Sequence, residues 1–216
     1  MSRLAIFDCD GTLVDGQASI CESMEDAFAA GGLPAPDRHD IRRIVGLSLP
    51  QAVRLLAPDS APEIQAHIVQ AYKDSFRASR EQGRLQEPLF DGMEALLLRL
   101  RDAGWELAVA TGKSDRGLAN CLASHGIADL FVSLQTADRH PSKPHPAMLE
   151  AVLFEAGAQV DDAVMIGDTS FDMEMARAIN MRAIGVDWGY HTAQELLEYG
   201  AEAVAQDCQQ LGDMLL

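Results

Sequence analysis

The 216-residue sequence has few of the features that mark secreted or membrane-spanning proteins. Its four cysteines are far apart and form no CxxC pair, so neither a disulfide framework nor a thiolate zinc site is indicated. No stretch approaches the roughly 20 apolar residues of a membrane span, which argues against an integral membrane role. The apolar run near the start is too short for a signal peptide, and we therefore expect a cytoplasmic protein.

Positive charge is also scarce. The sequence has 17 Lys and Arg residues against 33 Asp and Glu residues, a formal net charge of −16. Such a chain repels polyanions, so DNA and RNA are not expected as partners. A small anionic substrate would need a bound cation and a few well-placed donors to make the electrostatic potential positive at its binding site. The sequence leaves open whether the protein is a monomer or a homodimer.

Short apolar runs alternate with helical patterns along much of the chain. Residues 4–8, 107–111 and 163–166 are typical of buried strands that end in loops, and 130–134 and 183–186 are weaker candidates. Helical patterns cover residues 92–103, 115–125, 145–156 and 172–180. Strands that alternate with helices of this length predict an α/β fold with a central parallel sheet flanked by helices.

An insertion separates the first predicted strand from the second. About a hundred residues lie between them, far more than one crossover needs. Apolar residues recur there every four positions, as in Ile64, Ile68 and Tyr72, which indicates helices. We therefore predict a helical lobe over residues 16–85 and a core formed by 1–15 and 86–216. The chain passes between the two near Gly16 and Glu87, which are candidate hinges.

Two acids follow the first strand directly. Asp8 and Asp10 are two residues apart, so in extended backbone both can face one ligand at the carboxyl end of the strand. Like charges this close favour a hard divalent cation with oxygen ligands, and Mg²⁺ is the expected one. The same pattern also occurs in turns with solvated acids. A calcium loop is excluded, because Leu13 and Ser19 stand where that loop needs Gly and Glu.

Three further segments at predicted strand ends suit phosphoryl transfer. Thr111 offers a hydroxyl, and Gly112 allows a backbone N–H to approach an oxyanion closely. Lys143 supplies a fixed positive charge to a phosphate and to a nucleophile. Asp168 can complete the ligand set of a metal, and Asp172 can bind the metal's water or orient the lysine. Together these segments predict a phosphate-binding site.

In this order, the segments resemble the four motifs of the haloacid dehalogenase superfamily, which consists mainly of phosphatases. The first motif is DCDGTLVD at residues 8–15, the second is Thr111, the third is Lys143, and the fourth is GDTSFD at residues 167–172. The match covers nearly the whole chain. The overall pattern is most similar to members with a helical cap of the C1 type, the phosphoglycolate phosphatases and β-phosphoglucomutases.

The resemblance implies a Rossmann-like core with a helical cap inserted after the first motif. It implies that Asp8 attacks phosphorus and becomes an aspartyl-phosphate, while Asp10 first protonates the leaving alcohol and then activates water. It also implies that Mg²⁺ contacts Asp8, the backbone carbonyl of Asp10, and Asp168. Dehalogenases proper lack the second acid, so Asp10 argues against carbon–halogen chemistry.

Two other segments bear on the substrate. In the predicted cap, the region around Arg43 and Gly46 resembles the cap loop of phosphoglycolate phosphatases, where an arginine could pair with a substrate carboxylate. Adjacent arginines on a helix are also commonly solvated.

The segment at Lys113 resembles the end of a P-loop, but Leu107 stands where that motif needs Gly. We therefore expect Lys113 to begin the following helix.

Three functions fit these motifs. The first is a phosphatase for a small phosphate ester, with phosphoglycolate as the best candidate. The second is a sugar-phosphate mutase of the β-phosphoglucomutase kind, which shares every motif. The third is a non-enzymatic regulatory protein on the same fold, which would be expected to have lost Asp8 or Asp10, and both are present.

Overall fold

The computed structural model describes residues 3–216 and contains one parallel sheet with helices on both faces. Its strands are β1 (Arg3–Phe7), β2 (Trp105–Thr111), β3 (Phe131–Thr136), β4 (Ala163–Gly167), β5 (Arg182–Val186) and β6 (Ala203–Ala205). The sheet order is β3-β2-β1-β4-β5-β6, and every pairing is parallel. The predicted α/β class with a parallel central sheet is confirmed.

Ten α-helices accompany these strands in the described residues. They are α1 (Gln17–Ala30), α2 (Arg38–Arg43), α3 (Leu49–Leu56), α4 (Pro62–Glu81), α5 (Met93–Asp102), α6 (Asp115–Ser124), α7 (Ala147–Ala156), α8 (Ser170–Arg177), α9 (Ala193–Tyr199) and α10 (Cys208–Leu215). Between residues 3 and 216, no helix is both long and apolar enough to cross a membrane.

Both faces of the sheet are buried, which explains the continuous apolar runs in the sequence. In β1, Ala5 and Phe7 pack into one apolar cluster with α5, α6 and α10. Leu4 and Ile6 point the opposite way, into a second cluster with α7, α8 and α9. The alternation follows from the two-residue period of a strand. Because helices cover both faces of the sheet, a ligand-binding site is expected at the ends of the strands.

The strand order brings the sequence motifs together. β1 lies between β2 and β4, with Phe7 level with Val109 on one side and Ile166 on the other. Loops that follow these three strands therefore leave the sheet at the same carboxyl edge. In open parallel sheets, ligands bind at this edge.

The carboxyl-terminal part of the sheet differs in detail from the prediction. β6 has only three residues and lies at the sheet edge, too short to give a periodic apolar signal. The last predicted crossover helix, over 172–180, is α8, which ends earlier, at Arg177. Asn180 then adopts a positive φ of 55°, a left-handed conformation that turns the chain out of a helix and toward β5.

Helices α1 to α4 occupy the insertion and share an apolar cluster of their own. Ile20, Met24 and Phe28 of α1 and Ile68 of α4 are buried in it. Ile64 belongs to the same apolar repeat in the sequence, but its side chain is 38% exposed. The helical insertion is thus held together mainly by the pairing of α1 with α4.

The two segments that join the inserted helices to the sheet run side by side. The Asp15 amide donates to the Pro88 carbonyl over 2.8 Å, and the Phe90 amide donates to the Leu13 carbonyl over 3.1 Å. Val14 and Leu89 form an antiparallel bridge between them. Both connections therefore lie directly beside the loop that carries Asp8 and Asp10.

We expect Ile68→Ala to destabilise the protein by about 2–5 kcal/mol, because the truncation leaves a cavity in the cluster between α1 and α4. Ile64→Ala, on the same helix, is the matched control and should cost less than about 1 kcal/mol, because that side chain is already partly in water. Urea denaturation of the two variants measures the difference. Equal losses at both positions would contradict the described packing.

Candidate active site

Asp8 is the first residue after β1 and is completely buried at the carboxyl edge of the sheet. Its Oδ1 accepts a hydrogen bond from the Cys9 amide over 2.6 Å and lies 2.9 Å from the Nζ of Lys143. Its Oδ2 is buried and has no hydrogen-bond partner in the described residues. One oxygen of this carboxylate is therefore fixed, while the other is left for a ligand.

Two more buried acids lie beside Asp8. Asp172 accepts from the Nζ of Lys143 over 2.7 Å and, through its other oxygen, from the hydroxyl of Thr169 over 2.7 Å. Asp168 accepts from the hydroxyl of Thr12 over 2.7 Å and from the Tyr190 amide over 2.9 Å. Oxygen atoms of Asp8, Asp168 and Asp172 lie within 4.8 Å of one another.

The electrostatics of this cluster fit a divalent cation. Burial raises the pKa of Asp8 to about 7, although Lys143 opposes the shift. Burial also raises the pKa of Asp168 well above its usual range, and the neighbouring Asp8 and Asp172 add to the effect. If all three carboxylates ionised beside the single ammonium of Lys143, two negative charges would be left unbalanced. A hard divalent ion with oxygen ligands would neutralise them.

Lys143 stays protonated despite its burial. Burial alone would lower its pKa, but the carboxylates of Asp172 and Asp8 outweigh that effect and raise it. This lysine therefore provides a permanent positive charge beside Oδ1 of Asp8. The side chain reaches this position from the loop that precedes α7, as its place in the sequence predicts.

A cavity of about 430 Å³ opens above Asp8, between the sheet edge and the inserted helices. Asp8, Asp10, Thr111 and Gly112 line it from the sheet side, and Gly46 lines it from the insertion. Lys143, Asp168 and Asp172 do not line the cavity, although they surround Asp8. The four predicted motifs thus meet at one place.

Cations are concentrated on the cavity wall. Five basic side chains and only three acidic ones line it, whereas the whole chain has 17 basic and 33 acidic residues. The acids are Asp8, Asp10 and Asp138, and the basic residues are Lys73, Arg77, Arg80, Lys113 and Arg116. Arg77, Arg80 and Lys113 are paired with carboxylates, whereas Lys73 and Arg116 form no ion pair among the described residues and offer positive charge to an anionic ligand.

Gly112 lets the inserted helices approach the sheet. A Cβ atom at this position would lie 2.5 Å from the carbonyl oxygen of Gly46 and 2.6 Å from that of Leu47. Gly46 itself has a φ of +96°, a conformation that other residues rarely adopt. Nearby, the Ser48 amide donates to the hydroxyl of Ser142 over 2.8 Å. These contacts close the cavity beside Thr111.

Asp10 differs from the other acids in its partner. Its carboxylate lies 2.9 Å from the Nζ of Lys113, which also donates to Glu87 over 2.7 Å. Burial raises the pKa of Asp10, Lys113 opposes the shift, and Glu87 reinforces it. The side chain of Asp10 is not part of the group formed by the other three acids.

Arg43 does not line the cavity. Its guanidinium instead makes two contacts with the Glu195 carboxylate, at 2.7 and 3.0 Å. The pKa of Glu195 is lowered to about 2, by the Thr192 backbone amide and by Arg43. The carboxylate of Glu195 occupies the guanidinium in this arrangement, and a role of Arg43 in binding a substrate carboxylate stays a prediction.

Lys113 also differs from expectation. α6 begins at Asp115, with Ser114 as its cap, so Lys113 precedes the helix and its side chain turns inward. The sequence predicts Glu87 as a candidate hinge, and the structure shows that its carboxylate contacts this lysine. The contacts of Lys113 with Asp10 and Glu87 have no local signal in the sequence, because the three residues are far apart along the chain. The Tyr190 amide that binds Asp168 was missed for the same reason.

Comparisons with known proteins agree with the fold and the motifs. The model of the family described as haloacid dehalogenase-like hydrolase matches residues 5–186. The probable phosphatase IndB of Dickeya dadantii is 37% identical, with 91% of this chain and 86% of that protein covered. A phosphoglycolate phosphatase of Vibrio vulnificus is 26% identical, with 99% and 96% covered. A crystal structure described as a predicted phosphatase from Clostridium acetobutylicum has a TM-score of 0.89 and 26% identity, with 100% and 98% covered.

The carboxylate cluster predicts a pH-dependent stability in the presence of a chelator. The pKa of Asp8 rises from 3.8 to about 7 on folding, so its protonation favours the folded state between these values. The contribution of protonated Asp8 to the stability of wild type is fully present below pH 3.8 and is lost as the pH rises through 7. We therefore expect Asp8→Asn to gain stability relative to wild type between pH 5 and 7, by at most about 1.4 kcal/mol per pH unit.

Chemical denaturation in EDTA at pH 5, 6 and 7 measures this difference. Asp59→Asn, a change at an exposed acid, is the control and should show no trend. Addition of a divalent cation should reverse the advantage of Asp8→Asn. A stability difference that does not depend on pH would contradict the proposed crowding of negative charge around Asp8.

Proposed function

Because the chain belongs to the haloacid dehalogenase-like hydrolase family, as its motifs predicted, we propose that it is a Mg²⁺-dependent phosphatase for a small phosphate ester. One observation carries the proposal. A buried carboxylate, Asp8, with one free oxygen and a lysine 2.9 Å away, lies at the floor of a cavity whose wall is rich in cations. The names of the relatives as phosphatases support the same reading.

In the proposed reaction, the free Oδ2 of Asp8 attacks phosphorus while the bond from phosphorus to the ester oxygen breaks. Asp10 gives a proton to that departing oxygen, and an aspartyl-phosphate forms on Asp8. Asp10 then takes a proton from water as the water attacks the aspartyl-phosphate. Inorganic phosphate leaves, and both carboxylates return to their starting states. Asp10 lines the cavity beside Asp8, as this sequence of steps requires.

Three groups would bind the transferring phosphate. The ammonium of Lys143 faces Asp8, and the hydroxyl of Thr111 and the backbone of Gly112 lie on the adjacent wall of the cavity. Donors fixed in this way stabilise charge that develops on the phosphate oxygens in the transition state. Asp172 keeps Lys143 in place through the 2.7 Å hydrogen bond.

Mg²⁺ would be held by Asp8 and Asp168, with Asp172 nearby and the backbone carbonyl of Asp10 as a further ligand. The buried cluster of three carboxylates fits such an ion. When bound, it supplies positive charge that offsets the negative charge of the phosphate and of the carboxylates. Carboxylate oxygens are ligands that Mg²⁺ prefers.

For the substrate, we propose a small acid of the phosphoglycolate type. The relatives named as phosphoglycolate phosphatases support this choice, as does the excess of cations on the cavity wall. Lys73 and Arg116, which form no ion pair among the described residues, would bind a second anionic group. The names of the relatives favour hydrolysis over the mutase alternative, and the presence of both Asp8 and Asp10 disfavours a non-enzymatic role.

The nucleophile assignment is tested with Asp8→Asn. We expect this variant to lose at least about a thousandfold in kcat on a panel of phosphate esters with Mg²⁺, because an amide cannot form the aspartyl-phosphate. Wild-type activity should also disappear when EDTA removes the metal. Free phosphate release is the measurement, and acid quenching should trap labelled phosphate on wild type but not on the variant. Hydrolysis by the variant at the wild-type rate would exclude this mechanism.

The substrate class is tested at Arg116, a cation on the cavity wall. We expect Arg116→Met to lower kcat/KM for 2-phosphoglycolate by about tenfold more than for ethyl phosphate, because a hydrogen bond to a charged group contributes about 1.5–3 kcal/mol. Arg43→Met is the matched control and should change both esters by the same factor, since Arg43 lies outside the cavity. The opposite result, with selectivity lost only at Arg43, would support the cap-loop expectation instead.

A further inference from the structure

Lys113 is held between two carboxylates that are distant in the sequence. Its Nζ lies 2.9 Å from Asp10 and 2.7 Å from Glu87, and the ring of Phe76 lies 5.4 Å away. The side chains of the three charged residues are only 6–12% exposed. Water therefore screens these contacts little, and their electrostatic strength is correspondingly large.

The two contacts of Lys113 differ in kind. The contact with Glu87 has the geometry of a hydrogen bond. The contact with Asp10 is an ion pair without that geometry, and Asp10 Oδ1 has no hydrogen-bond partner among the described residues. The lysine therefore attracts Asp10 without using the capacity of this oxygen to form hydrogen bonds. Among the described residues, the ion pair with Lys113 is therefore the polar contact that holds the side chain of Asp10 in place.

Glu87 is itself fixed from other directions. Its second carboxylate oxygen lies 3.1 Å from the guanidinium of Arg80, and its carbonyl is 2.7 Å from the Nε2 of His125. Glu87 does not line the cavity above Asp8. Any effect of this residue on the reaction must therefore pass through Lys113 or Arg80, which both line the cavity, and not through contact with the substrate.

We propose that Lys113 and Glu87 are positioning residues that hold the Asp10 carboxylate toward the leaving group; this inference rests on the proposed phosphatase function. Lys113 sets the location of Asp10, and Glu87 sets the location of Lys113. Because Asp10 protonates the departing oxygen, misplacement of its carboxylate should matter most for esters whose leaving group needs that proton. An alkoxide needs it, whereas nitrophenolate leaves readily as an anion.

The test compares kcat/KM for glycerol 2-phosphate and p-nitrophenyl phosphate, since this parameter reports the steps up to aspartyl-phosphate formation. We expect Lys113→Met to lower the value for glycerol 2-phosphate by roughly 10- to 100-fold, within the range of general acid catalysis, and to lower the value for p-nitrophenyl phosphate much less. Lys113→Arg should recover part of the loss, because it keeps a cation between the two carboxylates.

Two further variants separate positioning from substrate binding. Glu87→Gln should show the same selective loss to a smaller degree, and it should add nothing in a Lys113→Met background. Lys73→Met removes another lysine of the same cavity wall, one for which the described residues show no ion pair, and should change both esters by one common factor.

Equal losses for both esters in Lys113→Met would overturn the proposal and assign Lys113 to substrate binding. A selective loss in Lys73→Met would overturn it too. If Lys113→Met does not fold, Glu87→Gln and the double variant, which removes one charge of each sign, carry the same test. Wild-type protein that hydrolyses neither ester would contradict the proposed phosphatase function, whereas hydrolysis with no selective loss would contradict only the positioning role.

Discussion

The cluster of Asp8, Asp168 and Asp172 around Lys143 is the constraint on which the rest of the site depends. Burying three carboxylates with one ammonium is unfavourable, because each ion loses its hydration and the negative charges repel one another. Nearly every available donor nearby is used to offset this cost, including the hydroxyls of Thr12 and Thr169. The imbalance of two charges that remains when all three carboxylates ionise makes the site suited to a divalent cation.

Charge is distributed unevenly over the molecule, and this distribution reconciles an acidic protein with an anionic ligand. The chain carries a formal charge of −16, but basic residues outnumber acidic ones on the cavity wall. Several of these cations come from α4 of the insertion, while the carboxylate cluster belongs to the sheet. The inserted helices supply three of the five cations on the cavity wall. The sheet part supplies the buried carboxylates together with Lys113, Arg116 and Lys143.

The connections between the two parts lie close to the reactive groups. The paired segments around Val14 and Leu89 lead directly from the inserted helices to the loop of Asp8 and Asp10. On the far side of the cavity, Arg43 binds Glu195, and Gly46 packs against Gly112. A movement of the inserted helices relative to the sheet would change the contacts of Arg43 and Gly46, because each joins the insertion to the sheet part.

The amino-acid sequence by itself determined the parallel α/β core, the helical insertion, and the order in which Asp8, Thr111, Lys143 and Asp168 follow their strands. These features have local signals, since apolar periodicity and strand-end motifs depend only on neighbouring residues. The short edge strand β6 lacked such a signal. Only the tertiary structure decided which charged groups meet. It paired Arg43 with Glu195 and brought Lys113 between Asp10 and Glu87. Ion pairs between distant segments depend on how helices pack on the sheet, and no pattern of nearby residues records that packing.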